Sequence, residues 1–285
     1  MSATKPHLSQ TQINLHNKCP AAYERRYVNG EIIPPGVSQL KGSGVHAAAE
    51  NNFRQKITSH IDLPVDDMAD MAVSQFEQRV AQEGVSLDPD EKSRGKLKVL
   101  GEAKDATVRM AKFHAYEQAP SYQPVLVEER VRIGLPGAHD LVVILDLADD
   151  RDRIVDFKNG KKRYSQADVD SSVQLSVEAV GFQAITTRRP KALVLDTIVT
   201  GARQFERHKL TTTRDRDDRL ALAHRVDAVS RAIQTGIFPP AAPRGPRARH
   251  RSQQSSAARI HVLLRNWRSI RAPANSSSSG LPAIS

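Results

Sequence analysis

Apolar positions recur at helical spacing over roughly the first 117 residues, then switch to strand spacing near residue 123. Ser9 and Gln12 stand in capping-box spacing, which predicts a helix start, and Pro20 suits the first turn of a second short helix. "GSGVHAAAENNFRQKI" sets Val45, Ala49, Phe53 and Ile57 four apart on one face, with His46 at the edge of that stripe. Further helices are predicted from about Asp66 to Ala81 and from about Asp90 to Glu117, the second with Leu97, Leu100, Met110 and Phe113 on a shared face.

The strand pattern opens with "QPVLVEERVRI", continues through "HDLVVILDLA" and returns as "DRIVDFK" after a "DDRD" turn, which predicts a β-meander. "SQADVDSSVQLSVEAVGFQAI" then reads as one helix through Val169, Val173, Val177 and Val180. "KALVLDTIVT" is a buried strand, and "RQFERHKLTT" is its polar neighbour. A last helix, about Asp215 to Thr235, stops at Gly236. Helices, three strands, helix, two strands and helix predict one α/β domain with a mixed sheet over residues 1–240.

Composition narrows the chemistry. The net charge is +10, but residues 241–285 hold eight arginines, no lysine and no acid, which leaves residues 1–240 at only +2. Charge alone is therefore weak evidence for nucleic-acid binding by the domain. After "GIFPP" the arginine, serine and proline content is that of a disordered tail, with "ARIHVLLRNWRSI" its one candidate helix. Cys19 is the single cysteine, which excludes an intrachain disulfide and a four-cysteine metal site, so a metal must use oxygen and nitrogen ligands. No apolar run is long enough to span a bilayer and "MSATKPHLSQ" lacks a signal-peptide pattern, so the expected compartment is the cytoplasm, with no membrane partner.

Two weaker motifs fail on context. "GSGVHA" follows no credible strand, as a dinucleotide fingerprint must, and "DLADDRD" lacks the glycine and distal glutamate of a calcium loop.

The informative stretch is "RIVDFKNGKK". By itself Asp156-Phe157-Lys158 is an ordinary ion pair at a strand end. Ten residues earlier, however, Asp146 closes the run "VVILD", where a carboxylate is costly to bury unless paired or metal-bound. If the two strands pair, both carboxylates reach the same end of the sheet, and Mg²⁺ or Mn²⁺ is what such oxygen sites hold. Lys158 shares the face of Asp156 and stands ready to serve a water beside that ion.

An acid, this spacer and then acid-x-Lys resembles the core of the PD-(D/E)XK nuclease superfamily. "LSQTQINLHNKCPAAYERRYV" is similar to the N-terminal segment of its RecB-like and Cas4-like exonuclease branch, including phage types. "GSGVHAAAE" resembles that branch's glycine-then-histidine helix, and "QLSVEAVG" its glutamine helix after the lysine.

The resemblance implies a restriction-endonuclease-like core. It implies metal binding by His46, Asp146, Asp156 and the backbone carbonyl of Phe157, with Lys158 catalytic and Gln174 facing the site. A histidine ligand implies some preference for Mn²⁺ over Mg²⁺. The implied substrate and partner is DNA in recombination, repair or phage DNA metabolism, with a helicase or recombination protein as a further candidate partner.

Relatives have tyrosine four residues after the glutamine where this chain has Glu178, which puts DNA positioning there in doubt. Many relatives also hold an iron-sulfur cluster with three C-terminal cysteines; only Cys19 is present here, so no cluster is expected. The tail is either a DNA-holding arginine arm or a shifted reading frame. The competing functional reading is a catalytically impaired nucleic-acid-binding protein that keeps the fold.

Overall fold

The computed structural model describes residues 5–201 and 204–241. The expected domain end, the arginine-rich tail and its candidate helix lie beyond or at the limit of these residues. The chain begins with β1 (His7–Ser9), α1 (Gln10–Lys18) and α2 (Pro20–Tyr23), followed by a π turn at Glu24–Val28. Ser9 caps α1 in a reciprocal box with Gln12, and Pro20 opens α2. Next come α3 (Val37–Ser59), α4 (Val65–Glu83), α5 (Pro89–Arg94) and α6 (Lys96–Phe113), and then β2 (Pro124–Ile133), β3 (Asp140–Asp149) and β4 (Arg153–Gly160). The chain closes with α7 (Gln166–Asp170), α8 (Val173–Thr186), β5 (Ala192–Thr200), β6 (Phe205–Thr212) and α9 (Arg216–Gln234).

These strands form one mixed sheet. β2 runs antiparallel along one edge of β3 from end to end. The other edge of β3 is divided: β1 pairs parallel with Asp140–Val142, and β4 pairs antiparallel with Leu147 and Ala148. Between them residues 143–146 have no ladder partner on that side. β4 turns away to run parallel with β5 for eight residues, and β5 pairs antiparallel with β6. The connection from β4 to its parallel neighbour β5 passes through α7 and α8, as a parallel crossover requires.

Helices cover both faces. On one, Val143, Leu145, Ile154, Leu193 and Leu195 pack with Leu175, Val180 and Phe182 of α8 and with Leu222 and Val226 of α9. On the other, Leu147, Val155 and Val194 pack with Ala49 and Phe53 of α3. α4 and α6 extend that second layer through their own contacts with α3. No described helix is long and apolar enough to cross a membrane.

Five expectations need correction. The helix predicted from Asp90 to Glu117 breaks at Gly95, whose φ of 85° a glycine adopts without cost. Of its predicted face Leu97 fails, at 88% exposed, while Met110 is buried, Leu100 is partly buried against the core, and Val99, Ala103, Thr107 and Ala111 join them. The helix predicted through Val169 and Val180 is two helices, because Ser172 caps a new start at Val173, its hydroxyl accepting from the Leu175 N–H. Ile57, placed on the buried stripe of α3 by its spacing, is exposed near the helix end, and α3 begins earlier than predicted, at Val37.

Candidate active site

The site lies where β3 and β4 part. Their ladder runs through Ala148–Ile154 and Leu147–Val155. One step further in the same register Asp146 faces Asp156, and pairing has stopped. On the other edge of β3, Val127 pairs with Leu147 and Glu129 with Leu145, so Glu128 stands opposite Asp146. Three acids from three strands thus form one row: Glu128, Asp146, Asp156.

Strand alternation fails at this row. Val127 and Leu147 pack toward α3, whereas Val131, Ile133, Val143 and Leu145 pack toward α8, so the odd-numbered positions change faces across it. Glu128 sits in the left-handed region with φ of 50°, a conformation that costs a non-glycine residue on the order of 1–3 kcal/mol. Strain of this kind gathers where side chains must be aimed.

Two helices complete the cluster. From α3, His46 Nε2 lies 3.0 Å from Asp146 Oδ2, and its Nδ1 lies 3.3 Å from Glu128 Oε1. Two residues before His46, Gly44 lets α4 pack directly on α3: a Cβ there would be 2.5 Å from the Ala72 carbonyl oxygen. From α8, Glu178 is 2% exposed and its Oε2 has no hydrogen-bond partner. Gln174, one turn earlier on the same face and half-buried, partly offsets the burial that raises the Glu178 carboxyl. Gly181 sets the height of α8, since a Cβ there would be 2.5 Å from Val143 Cγ1.

Lys158 Nζ donates to Asp156 Oδ1 at 2.7 Å. Sequence reasoning assigned this lysine to a water rather than to a bridge with Asp156; in the structure the bridge is present. Asp156 is 1% exposed, and no other cation neutralises it as closely. Phe157 between them stacks on Phe53 with ring centres 5.5 Å apart and meets His114 and Tyr122 edge-on, which fixes the backbone of this segment.

The electrostatics are those of too many carboxylates for one lysine. Burial, then the charge of Asp146, pushes Asp156 up to about 7 despite Lys158. Burial likewise raises Glu128 to about 7 and holds Glu178 well above the usual carboxylate range. Burial opposes the charge of His46, but Asp146 and Glu128 outweigh it and raise the imidazole to about 9. Burial also opposes the charge of Asp146, yet His46 and Lys158 keep that carboxyl below its ordinary value. Lys158 is held above its ordinary value by Asp156 and Asp146 against burial.

Ligand atoms of His46, Glu128 and Asp146 all lie within 4.8 Å of one another, and so do those of Asp146, Asp156 and Glu178. An oxygen-rich set with one imidazole fits a hard divalent cation such as Mg²⁺ or Mn²⁺. The orphaned Glu178 oxygen is a buried acceptor of the kind such an ion satisfies.

The structure therefore brings His46, Asp146, Asp156 and Lys158 to one point, with Gln174 at its margin through Glu178. Two participants escaped the sequence reading or entered it differently. Glu128 was read as one polar position in an alternating strand; the only signal was the doubled acid "EE" inside an otherwise regular pattern. Glu178 was noted only as a departure from a tyrosine.

Comparisons with known proteins bear on the family and the fold. The PD-(D/E)XK nuclease superfamily profile matches residues 7–247. Among solved structures, a "Putative exonuclease" from Eubacterium rectale aligns with a TM-score of 0.51 at 13% identity, covering 86% of this chain and 92% of that one, a likeness of fold alone. SSO0001 aligns over 78% of this chain and 86% of that one, at 7% identity and a TM-score of 0.27, too low to carry an argument. No curated protein matches the chain. With the profile spanning most of its length over a restriction-endonuclease-like α/β fold, the chain belongs to the PD-(D/E)XK nuclease superfamily.

Proposed function

We propose that the protein is a metal-dependent deoxyribonuclease that degrades DNA from its ends, in recombination, repair or phage DNA metabolism. The observation that carries this reading is the opposition of Asp146 and Asp156 at the fork of β3 and β4, with His46 and Lys158 within reach of them. The preference for ends rests on the similarity of the N-terminal segment, the α3 histidine and the α8 glutamine to the RecB-like and Cas4-like branch.

His46, Asp146, Asp156 and the Phe157 carbonyl would hold the divalent cation, Mn²⁺ somewhat better than Mg²⁺ because of the imidazole. That ion supplies Lewis-acid polarisation of the phosphodiester and a water poised to attack phosphorus. The protein's own groups do the rest. Lys158, half-exposed and anchored on Asp156, directs an ammonium toward the position of a phosphoryl oxygen and a water. Phe157, locked between Phe53, His114 and Tyr122, keeps Asp156 and Lys158 from shifting as substrate enters.

Beyond Lys158 the strand path is basic. Asn159 Oδ1 approaches Gly42, so the start of α3 lies over the end of β4. Burial, then the charges of Lys161 and Arg109, hold Lys41 below its ordinary pKa, which marks three cations gathered at this point. Such a group suits the phosphates of a strand led toward the carboxylates.

The test is purified protein with end-labelled linear and covalently closed circular DNA in Mn²⁺, beside Asp146→Ala and Lys158→Ala. Degradation of the linear DNA alone, lost in both variants, is the expected result. Cutting of the circle would replace the exonuclease reading with an endonuclease one. Metal-dependent binding without cleavage by the unaltered protein would favour the catalytically impaired binder.

A further inference from the structure

Thr197 has no evident structural reason to carry a hydroxyl. It lies on β5 two residues beyond Leu195, so it shares the face that packs under α8, and it is 1% exposed. Valine would fill the same space without a polar atom to desolvate, yet Thr197 Oγ1 is buried with no hydrogen-bond partner among the described residues. Glu178 Oε2, on the helix above, is a second unpartnered buried oxygen on this face.

The strand register says what stands beside the hydroxyl. Thr197 pairs with Lys158 of β4 on one side and with His208 of β6 on the other, and adjacent strands lie only about 4.8 Å apart. His208 Nε2 is engaged by the Tyr164 carbonyl at 2.9 Å. Lys158 has N–H groups free: an ammonium carries three, and among the described residues only the bond to Asp156 Oδ1 at 2.7 Å is made. Burial opposes the charge of Lys158, and Asp156, Asp146 and then Glu178 sustain it, so the ammonium is attracted toward α8 as well as toward the fork. Its bond to Asp156 occupies an oxygen that a bound cation would claim. The protein thus sets an ammonium on a candidate ligand, with an idle acceptor one strand away.

We propose that Thr197 is a positioning residue whose hydroxyl is the second seat of the Lys158 ammonium, taken up when a divalent cation occupies Asp156. This rests on the metal-dependent reading above and deepens it by naming how the lysine leaves its bridge. In the cation-free chain the ammonium neutralises Asp156. With Asp156 given over to the cation, two positive charges cannot share its oxygens, and the ammonium crosses to β5, where Thr197 Oγ1 accepts from it. The side chain of Lys158 is 34% exposed and has room for that movement, whereas Thr197 is too deeply buried to meet substrate and acts only through the lysine. Thr197 gains the partner it lacks, and Lys158 is kept off the ligand while it stays beside the phosphodiester.

The test reads metal affinity rather than turnover. The full chain is stripped with chelator and titrated calorimetrically with MnCl₂. Thr197→Val is expected to bind Mn²⁺ about tenfold more weakly, the equivalent of one hydrogen bond to a charged group, while urea unfolding finds the cation-free variant no less stable than the unaltered protein. Thr197→Ser keeps the hydroxyl and is expected to bind like the unaltered protein. In Lys158→Ala no ammonium needs a seat, so adding Thr197→Val there is expected to change nothing. A purely structural role for Thr197 predicts the same loss with or without Lys158. Unchanged affinity in Thr197→Val, or an equal loss in the Lys158→Ala background, would overturn the proposal while leaving the metal-dependent reading intact. Absence of Mn²⁺ binding by the unaltered protein would overturn both.

Discussion

Asp146 and Asp156 face each other across β3 and β4 one step past the last paired residues, Leu147 and Val155. The position is one of built-in repulsion. Asp156 is fully buried and raised to about 7, and Asp146 contributes to that shift after burial itself. Asp156→Asn removes one of the two like charges. It is expected to raise the melting temperature of the cation-free protein at pH 8 by roughly 2–4 °C, the equivalent of about 1 kcal/mol in a chain this size. The same variant is expected to lose the stabilisation that millimolar Mn²⁺ gives the unaltered protein, and to cut nuclease activity on the order of 10²- to 10³-fold. Thermal melts with and without Mn²⁺ check this; an undiminished Mn²⁺ shift in Asp156→Asn would remove Asp156 from the ligand set.

Lys158→Ala separates chemistry from metal binding. Its ammonium bonds Asp156, so removing it frees a lone pair for the cation while taking away the positive charge beside the substrate. Turnover is expected to fall about 10²- to 10⁴-fold with Mn²⁺ affinity held or slightly increased. Lys158→Arg is not expected to restore the rate, because a planar fork cannot take the place of a compact ammonium bonded at 2.7 Å. Single-turnover kinetics beside Mn²⁺ titration decide between this and a structural role, in which metal affinity would fall as well.

Two glycines in helices give opposite expectations. Gly44→Ala should gain helix propensity, yet its Cβ would meet the Ala72 carbonyl at 2.5 Å and Thr107 Cγ2 at 3.1 Å, one of them backbone that cannot step aside. A net destabilisation of about 1–3 kcal/mol follows as α3 and α4 are forced apart, together with a change in Mn²⁺ binding because His46 lies two residues along the displaced helix. Gly101→Ala, exposed in α6 with nothing within 4 Å, should instead stabilise by about 0.5–1 kcal/mol and leave Mn²⁺ binding alone. Denaturant unfolding of both variants measures the contrast.

What the sequence disclosed and what it hid have physical causes. β2 to β5 announce themselves because one or both faces are buried, β6 is read as the polar neighbour of β5, and "DFK" stands out because an acid and a lysine close an apolar run. β1 is three residues long, too short for any period, and its pairing with β3 is set by tertiary contact. Glu128 was invisible because alternation reverses at its own row through a left-handed residue that no composition rule marks. Leu97 misled because spacing alone does not say which side of a helix meets the protein, and Gly95 resets the phase just before it. Glu178 was legible as a departure but not as a member of the site, since its proximity to Asp146 and Asp156 exists only once α8 is laid over the fork.

His114 is the buried imidazole whose protonation works against the fold in mild acid. It is 1% exposed, its Nδ1 donates to Gln118 Oε1 at 2.8 Å, and its Nε2 has no partner. Burial lowers its pKa to about 4 from the ordinary 6.5, against a smaller opposing effect of Gln118. The folded protein therefore holds a neutral imidazole where the unfolded chain takes up a proton. The contribution of His114 is complete above pH 6.5 and falls as pH drops to about 4, by roughly 3 kcal/mol at the bottom of the interval, whereas the raised carboxyls of Asp156 and Glu128 act in the opposite direction. His114→Asn keeps a donor toward Gln118 and cannot titrate, so it should be less stable than the unaltered protein at pH 7.5, with the gap closing by up to roughly 3 kcal/mol between pH 6.5 and 4. Urea unfolding of the cation-free protein across that range provides the measurement, and parallel slopes for the two proteins would mean that His114 is not the group responsible.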